Sequence, residues 1–297
     1  MILITGAAGK TGKAVLRKVA DNGGSVLAWV FRNEQIEEVE ALGANEVIVG
    51  DLRDPTILNR AMRGADSVYH ICPNVHPDEM IIGKGIIDTA AEHGVKQFVY
   101  HSVLHPQIEA MPHHWKKMRV EEYLFMSGLP FIILQPAVYM QNILANWGKI
   151  IESGKYSVPY AVNSRISMVD LEDVALVAAD VLIGARPEED LRHHFGATYE
   201  LVGTPAMTPN DIAAILAEQL KRPVVADKVS MAAWKSGARI SGLGDYQINS
   251  LAKMFNYYEK YGFWGNPQGL NCLLNRPATS FQAFVIREIQ ARSHVKQ

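Results

Sequence analysis

ILITGAAGKTGKAV, residues 2–15, runs from an apolar strand through three glycines spaced Gly6-x-x-Gly9-x-x-Gly12 and on into a helix. Gly6 suits a tight turn off the strand, Gly9 lets the backbone approach a pyrophosphate, and Gly12 lets the helix lie close against the sheet. A phosphate then rests on N–H groups at the helix N-terminus, where Lys10 and Thr11 add side-chain contacts. A glycine triplet alone is also compatible with an ordinary strand-to-helix turn. The strand before it and the helix after it supply the context of a dinucleotide cradle. A Walker-type nucleotide loop is excluded here, because it needs Gly-x-x-x-x-Gly-Lys-Ser/Thr and the Gly12-Lys13 pair is followed by Ala14.

Working outward, SVLAWV (25–30), EVIV (46–49), SVYHI (67–71), QFVYHS (97–102) and PFIIL (130–134) read as short, nearly continuous apolar strands. Helical patterns at 33–42, 56–63, 78–93 and 115–127 separate them. Apolar strands interleaved with helices imply a parallel sheet covered on both faces, an α/β Rossmann-type doubly wound fold. Ligands in such sheets bind beyond the carboxyl ends of the strands, so Gly6, Arg32, Asp51, Cys72, Ser102 and Pro136 are expected along one crevice. From about residue 150 the alternation weakens and Gly and Pro punctuate shorter elements. Residues 1–152 are therefore read as the nucleotide-binding domain and 153–297 as a smaller, mixed α/β C-terminal substrate lobe. SMVDLEDVALVAADVLI (167–183) is strongly helical from Leu171, so 166–185 is expected to return to the first domain and make the lobes discontinuous. A further helix is expected after Thr208, with Thr208 as cap, Pro209 in the first turn and Asp211 completing a capping-box-like turn.

The 297 residues suffice for a sizeable core, and 29 basic against 31 acidic side chains give a net charge of −2, with no basic footprint for nucleic acid. Cys72 and Cys272 form no CxxC pair, so neither a disulfide framework nor a zinc site is indicated and a reducing cytoplasm fits. No charged leader with an apolar run and no membrane-length apolar stretch is present, which argues against secretion and against a membrane partner.

TGAAGKTG (5–12), VFRN (30–33), GDLRD (50–54), FVYHSV (98–103), KKMRVEEYL (116–124), LQPAVYMQN (134–142), VDLEDVA (169–175) and LLNRPATSFQAFV (273–285) together resemble, in matching order over essentially the whole chain, the NmrA-like family of atypical short-chain dehydrogenases/reductases. That resemblance implies an NAD(P)H-dependent oxidoreductase transferring hydride to a small apolar or aromatic unsaturated acceptor such as a quinone, conjugated dye or enone. The family also contains redox-sensing regulators, so the alternative is a non-catalytic NADP(H)-binding protein. A homodimer is compatible with either.

The second strand ends in Val30-Phe31-Arg32-Asn33 with no carboxylate at its tip to bond a ribose 2′-hydroxyl. Arg32 offers a planar guanidinium to a 2′-phosphate, so NADP(H) is preferred over NAD(H); a solvated surface arginine is the competing reading. Asp51 resembles the family residue whose loop borders the adenine, although a helix cap or turn former in GDLRDP is equally consistent. The resemblance extends the cofactor path to Leu52, Cys72, Pro73 and Pro136. Cys72 also reads as a small buried hydrophobe.

Ordinary members of the wider superfamily place a tyrosine four residues before a lysine, with a serine closing the fifth strand. Here Lys117 stands four residues before Glu121, as the NmrA-like K-x-x-x-E pattern implies, and Ser102 closes FVYHS. The tyrosine position is His113. Lys117 is read as ribose and nicotinamide anchor and as a charge that stabilises developing anion. His113 or His114 is a candidate proton donor, because imidazole titrates near neutral pH; loop packing is the alternative. Adjacent histidines without an acidic partner at metal-ligand spacing give no metal site. By the same resemblance Tyr139 is a catalytic and pocket candidate, and His114, Met140, Asn142, Tyr156, Tyr160, Phe263 and Trp264 line the substrate pocket, an aromatic and methionine surface suited to a flat apolar substrate.

Overall fold

A computed structural model describes residues 1–184 and 190–294. Its strands are β1 Ile2–Ile4, β2 Val26–Val30, β3 Glu46–Val49, β4 Ser67–His70, β5 Gln97–His101, β6 Phe131–Pro136, β7 Val138–Tyr139, β8 Lys155–Val158, β9 Met168–Val169, β10 Thr198–Leu201 and β11 Val225–Lys228. Seven of them form one parallel sheet in the order β10-β6-β5-β4-β1-β2-β3. The order reverses beside β1, so the chain winds outward from β1 in both directions, as the apolar strand runs imply. β1, β2 and β5 are buried along their whole length, which is why they lack polar alternation.

The first compact unit comprises residues 1–109, 113–135 and 174–199. Its helices are α1 Lys10–Asp21, α2 Ile36–Glu40, α3 Pro55–Met62, α4 Glu79–Glu92 and, apart from its first residue, α5 Pro112–Phe125. Leu3, Trp29, Ile86, Phe98, Tyr100 and Val120 belong to one buried cluster in this unit. The helix expected over 33–42 is shorter, a 3-10 turn at Asn33–Gln35 followed by α2. The Gln35 side chain folds back to accept hydrogen bonds from the Phe31 and Arg32 backbone N–H groups, which starts the turn but leaves it exposed.

The second unit comprises residues 110–112, 136–173 and 200–297, described here through 294. Beyond β7 to β9 and β11 it contains α6 Trp147–Ser153, the start of α7 Leu171–Ile183, α8 Pro209–Leu220, α9 Met231–Ile240, α10 Asp245–Tyr261, α11 Gln268–Leu274 and α12 Phe281–His294. β7 pairs in parallel with β9, and β8 with β11. Thr208 caps α8 as expected, accepting from Asp211 N at 3.2 Å while Asp211 Oδ2 accepts from Thr208 N at 2.8 Å.

The unit boundary falls at Gln135–Pro136, ahead of the boundary expected at residue 152. Met140, Ile143, Trp147 and Ile150 share a core with Ile212, Leu216, Phe281 and Phe284, so residues 136–152 pack with the second unit. The returning segment likewise starts at Val174 and not at 166. Ser167 N bonds Phe263 O and β9 pairs with β7, which keep the preceding residues in the second unit. Ala185, the last residue of the expected return, lies outside the described residues.

Two motifs about a hundred residues apart meet through buried carboxylates. Asp170, fully buried, accepts from Arg287 at 2.7 and 3.1 Å and from Gln141 at 2.6 Å. Asp173, 1% exposed, accepts from Arg276 at 2.6 Å and from Thr279 N at 2.7 Å. Arg276 itself is half-exposed, so the two partners are unequal. Removing the arginine strands a buried charge, whereas removing the carboxylate leaves a guanidinium that reaches water. Arg276→Met is therefore expected to cost about 3 kcal/mol, and Asp173→Asn less than half of that, in urea unfolding. Equal losses contradict the assignment of Asp173 as the buried partner.

Candidate active site

The glycine turn is set by sterics. Gly6 has φ +59°, and a Cβ there stands 3.1 Å from Ile71 O. At Gly12 a Cβ stands 2.1 Å from Gly6 O and 2.8 Å from Ala7 Cα, so no side chain fits between α1 and the turn. No side chain caps the N-terminus of α1, and its first turn carries no acid. That end is left electropositive, as an anion site requires. Lys10 stands exposed at the first helical position, and partial desolvation pulls its pKa below the usual lysine range.

Around the carboxyl edge, Arg32 is exposed just past β2 and, among the described residues, makes no ion pair. The aromatic face of Phe31 beside it is 65% exposed. Past β3, Asp51 is gripped by Arg53 at 3.0 and 2.7 Å, and side-chain and backbone hydrogen bonds from Arg53 lower its carboxyl to about 2. Asp54 is the α3 cap, accepting from Thr56 N and Ile57 N, so Asp51 is a turn former and not the cap. Arg53 also reaches Asp78 at 2.8 Å, tying the loop after β3 to the entry of α4. Leu52 is buried and Pro73 exposed on these loops. Cys72 is 4% exposed, and burial raises its thiol far above the usual range, so it is an inert buried side chain.

Behind the edge runs a buried polar seam. Thr5 Oγ1 lies 2.9 Å from His70 Nδ1 and accepts from Ile71 N, binding the end of β1 to that of β4. His70 stacks on Tyr100 at 5.8 Å, and Tyr69 OH lies 2.7 Å from His101 Nδ1. Lys117 Nζ donates to Glu79 Oε1 at 2.8 Å and to His101 O at 3.3 Å; Tyr100 OH donates to the same Glu79 oxygen at 2.9 Å. One turn along α5, Glu121 accepts from Ser102 Oγ and, with both oxygens, from Gln135 Nε2 at 3.0 Å. The two ends of K-x-x-x-E thus hold separate networks.

Several expectations change. Ser102 is 3% exposed and spends its single hydroxyl proton on Glu121, so it is not a free donor. His113 is mostly buried with Nδ1 unpartnered, and burial lowers its pKa to about 4, so the imidazolium acid expected near neutral pH is not available. His114, expected in the substrate pocket, is 1% exposed; its Nδ1 lies 3.1 Å from the Leu104 carbonyl, so that nitrogen carries the proton and donates. In the second unit Met140 is fully buried in the α8–α12 core, while Tyr160 packs on Phe255 and Tyr258, and Phe263 on Tyr258. All three are buried among side chains of the second unit. Tyr156 is half-buried, and burial raises its pKa to about 12. Tyr139 is half-buried in β7, Pro136 is buried at the end of β6, Asn142 is exposed and Trp264 is 56% exposed. Glu79, Tyr100, His70 and His101 were not singled out in the sequence. Their signal was four polar side chains at strand ends and a helix start along otherwise apolar runs. No group of three or more His, Cys, Asp and Glu among the described residues has metal-binding geometry.

Burial holds His70 and His101 at about 3, well below the ordinary 6.5. The unfolded chain takes up protons that the fold refuses, so stability is level above about pH 7 and falls as the pH drops through 6.5 toward 3. Each of the two is expected to remove about 2 kcal/mol between pH 7 and pH 5. Urea unfolding at both pH values checks this, with His70→Asn expected to reduce the slope; a pH-independent stability contradicts it.

The profile of the NmrA-like family matches residues 1–281. An NAD(P)H azoreductase of Xenophilus azovorans is 26% identical over 96% of each chain. Quinone oxidoreductase 2 of Escherichia coli strain K12 is 27% identical over 94% of this chain and 96% of its own. The crystal structure of the NADPH-dependent quinone oxidoreductase from Escherichia coli complexed with NADPH superimposes with a TM-score of 0.82 at 26% identity, covering 100% of both chains.

Proposed function

The chain belongs to the NmrA-like family, and from that membership we propose that it is an NADPH-dependent reductase of a small, apolar, unsaturated acceptor such as a quinone, conjugated dye or enone. The relatives that match nearly its full length are NAD(P)H-dependent azo and quinone reductases. The observation that carries the reading is Lys117, an ammonium held at the carboxyl edge of the sheet that also bears the glycine turn.

The residues fit a dinucleotide phosphate. The turn at Gly6 and the uncapped start of α1 suit the pyrophosphate, and the exposed Arg32, which makes no ion pair among the described residues, suits a 2′-phosphate. The nucleotide, when bound, supplies the hydride. Lys117 has three N–H donors, of which Glu79 and the His101 carbonyl take two, leaving the third for a ribose hydroxyl or for an oxygen gaining negative charge. Asp51, kept ionised by Arg53, is an acceptor suited to an exocyclic amine at the adenine end. Neutral His113 contributes a hydrogen-bonding nitrogen and not an ionised acid, so the anion left by hydride addition takes its proton from solvent water. No helix among the described residues is long and apolar enough to cross a membrane. The two free cysteines suit a reducing compartment, and a cytoplasmic site of action is part of the proposal.

Purified protein is expected to oxidise NADPH with a member of a quinone, dye and enone panel, and Lys117→Ala to lose about tenfold or more of that rate. Arg32→Ala is expected to weaken NADPH about tenfold while leaving NADH nearly unchanged. Equal loss for both nucleotides contradicts the 2′-phosphate role. Tight NADPH binding without turnover across the panel contradicts the reductase reading and favours a nucleotide sensor.

A further inference from the structure

Lys117 stands in an environment where almost every neighbour is neutral. His70 and His101 are held at about 3 and His113 at about 4 by burial, and His114 is pushed well below its ordinary range. Cys72 and Tyr100 are pushed upward and stay protonated. Two carboxylates remain. Glu121 is occupied by Ser102 and by Gln135, a full turn away on α5. Among the described residues Glu79 is the one acidic side chain in contact with the ammonium, at 2.8 Å, and it is 3% exposed while the Lys117 side chain is 15% exposed.

The geometry around Glu79 is fixed from several sides. Tyr100 OH and Lys117 Nζ both donate to Oε1. The ammonium lies 5.3 Å from the centre of the Tyr100 ring, so that ring is both a wall for the lysine and a tether for its counter-ion. The neighbouring Asp78 is held by Arg53 at 2.8 Å, which pins the first turn of α4 that carries Glu79. A charged amine so little exposed is unfavourable without a partner, and a flexible four-carbon stem has no aim of its own.

We propose that Glu79 is a positioning residue for Lys117: its buried carboxylate, braced by the Tyr100 hydroxyl, turns the ammonium toward the His101 carbonyl and leaves one N–H for a bound nucleotide. Its relevance to turnover rests on the reductase reading above; its hold on Lys117 does not.

Reductive methylation of nucleotide-free protein, followed by peptide mass spectrometry and normalised to the exposed Lys253, reads the hold directly. Glu79→Gln, which keeps the shape and removes the charge, is expected to speed Lys117 labelling about tenfold, with Glu79→Asp between it and wild type. In turnover, Glu79→Gln is expected to lower kcat about tenfold, and adding it to Lys117→Ala to cost nothing more, because both changes remove one device. Unchanged labelling in Glu79→Gln, or effects that multiply in the double variant, overturns the assignment. Where Glu79→Gln does not fold, Glu79→Asp carries the labelling measurement by itself, and labelling at the wild-type rate overturns the assignment equally. Absence of turnover in wild type sinks the reductase reading and leaves the labelling result standing.

Discussion

The closeness of Gly12 to the carbonyl of Gly6 governs the arrangement of everything beyond it. With 2.1 Å between that oxygen and where a Cβ would stand, α1 rests directly on the turn that leaves β1, and its uncapped N-terminus faces the carboxyl edge of the sheet. Because the sheet is parallel, every strand delivers its following loop to that edge, and the chain has only to place suitable side chains there. Arg32 follows β2, the Asp51–Arg53 pair follows β3, Cys72 follows β4 and Ser102 follows β5.

A second level of organisation lies just inside. The seam from Thr5 through His70, Tyr100 and Glu79 to Lys117 places polar groups between fully buried strands. It is tolerated because its histidines are neutral and its charges are paired. The same burial that keeps the imidazoles neutral removes His113 as an acid at neutral pH. In the proposed function the chemistry rests on position and on one ammonium, a division of labour in which the nucleotide supplies the reactivity and the protein supplies orientation and field.

The sequence made the architecture legible because its signals are local. A glycine turn between a strand and a helix, strands without polar alternation and a Thr-Pro-x-Asp cap each act over a few residues, and each forms as read. The placement of Lys117 and Glu121 one turn apart on α5 was legible for the same reason, being tied to a spacing on one helix. What could not be read depends on partners distant in the chain. Glu79 looks like an ordinary first-turn acid until Lys117, 38 residues on, and Tyr100 reach it. Met140, Tyr160 and Phe263 have the composition of a pocket lining and the burial of a core, a difference that side-chain identity does not encode. The boundary at Gln135–Pro136 is likewise set by which core Trp147 and Ile150 join, not by any glycine or proline signal near residue 150.

The family match and the reductases that resemble the whole chain support NADP(H) as the cofactor, and the proposed function seats it on the glycine turn beside Lys117. A crystal structure of the protein with NADPH is the most direct test of that union. The expected result is a pyrophosphate on the N-terminus of α1, the 2′-phosphate at Arg32 and the Lys117 amino group hydrogen-bonded to the nicotinamide ribose while still paired with Glu79. A nucleotide whose nicotinamide lies away from Lys117, or a pyrophosphate bound elsewhere than at the glycine turn, contradicts it.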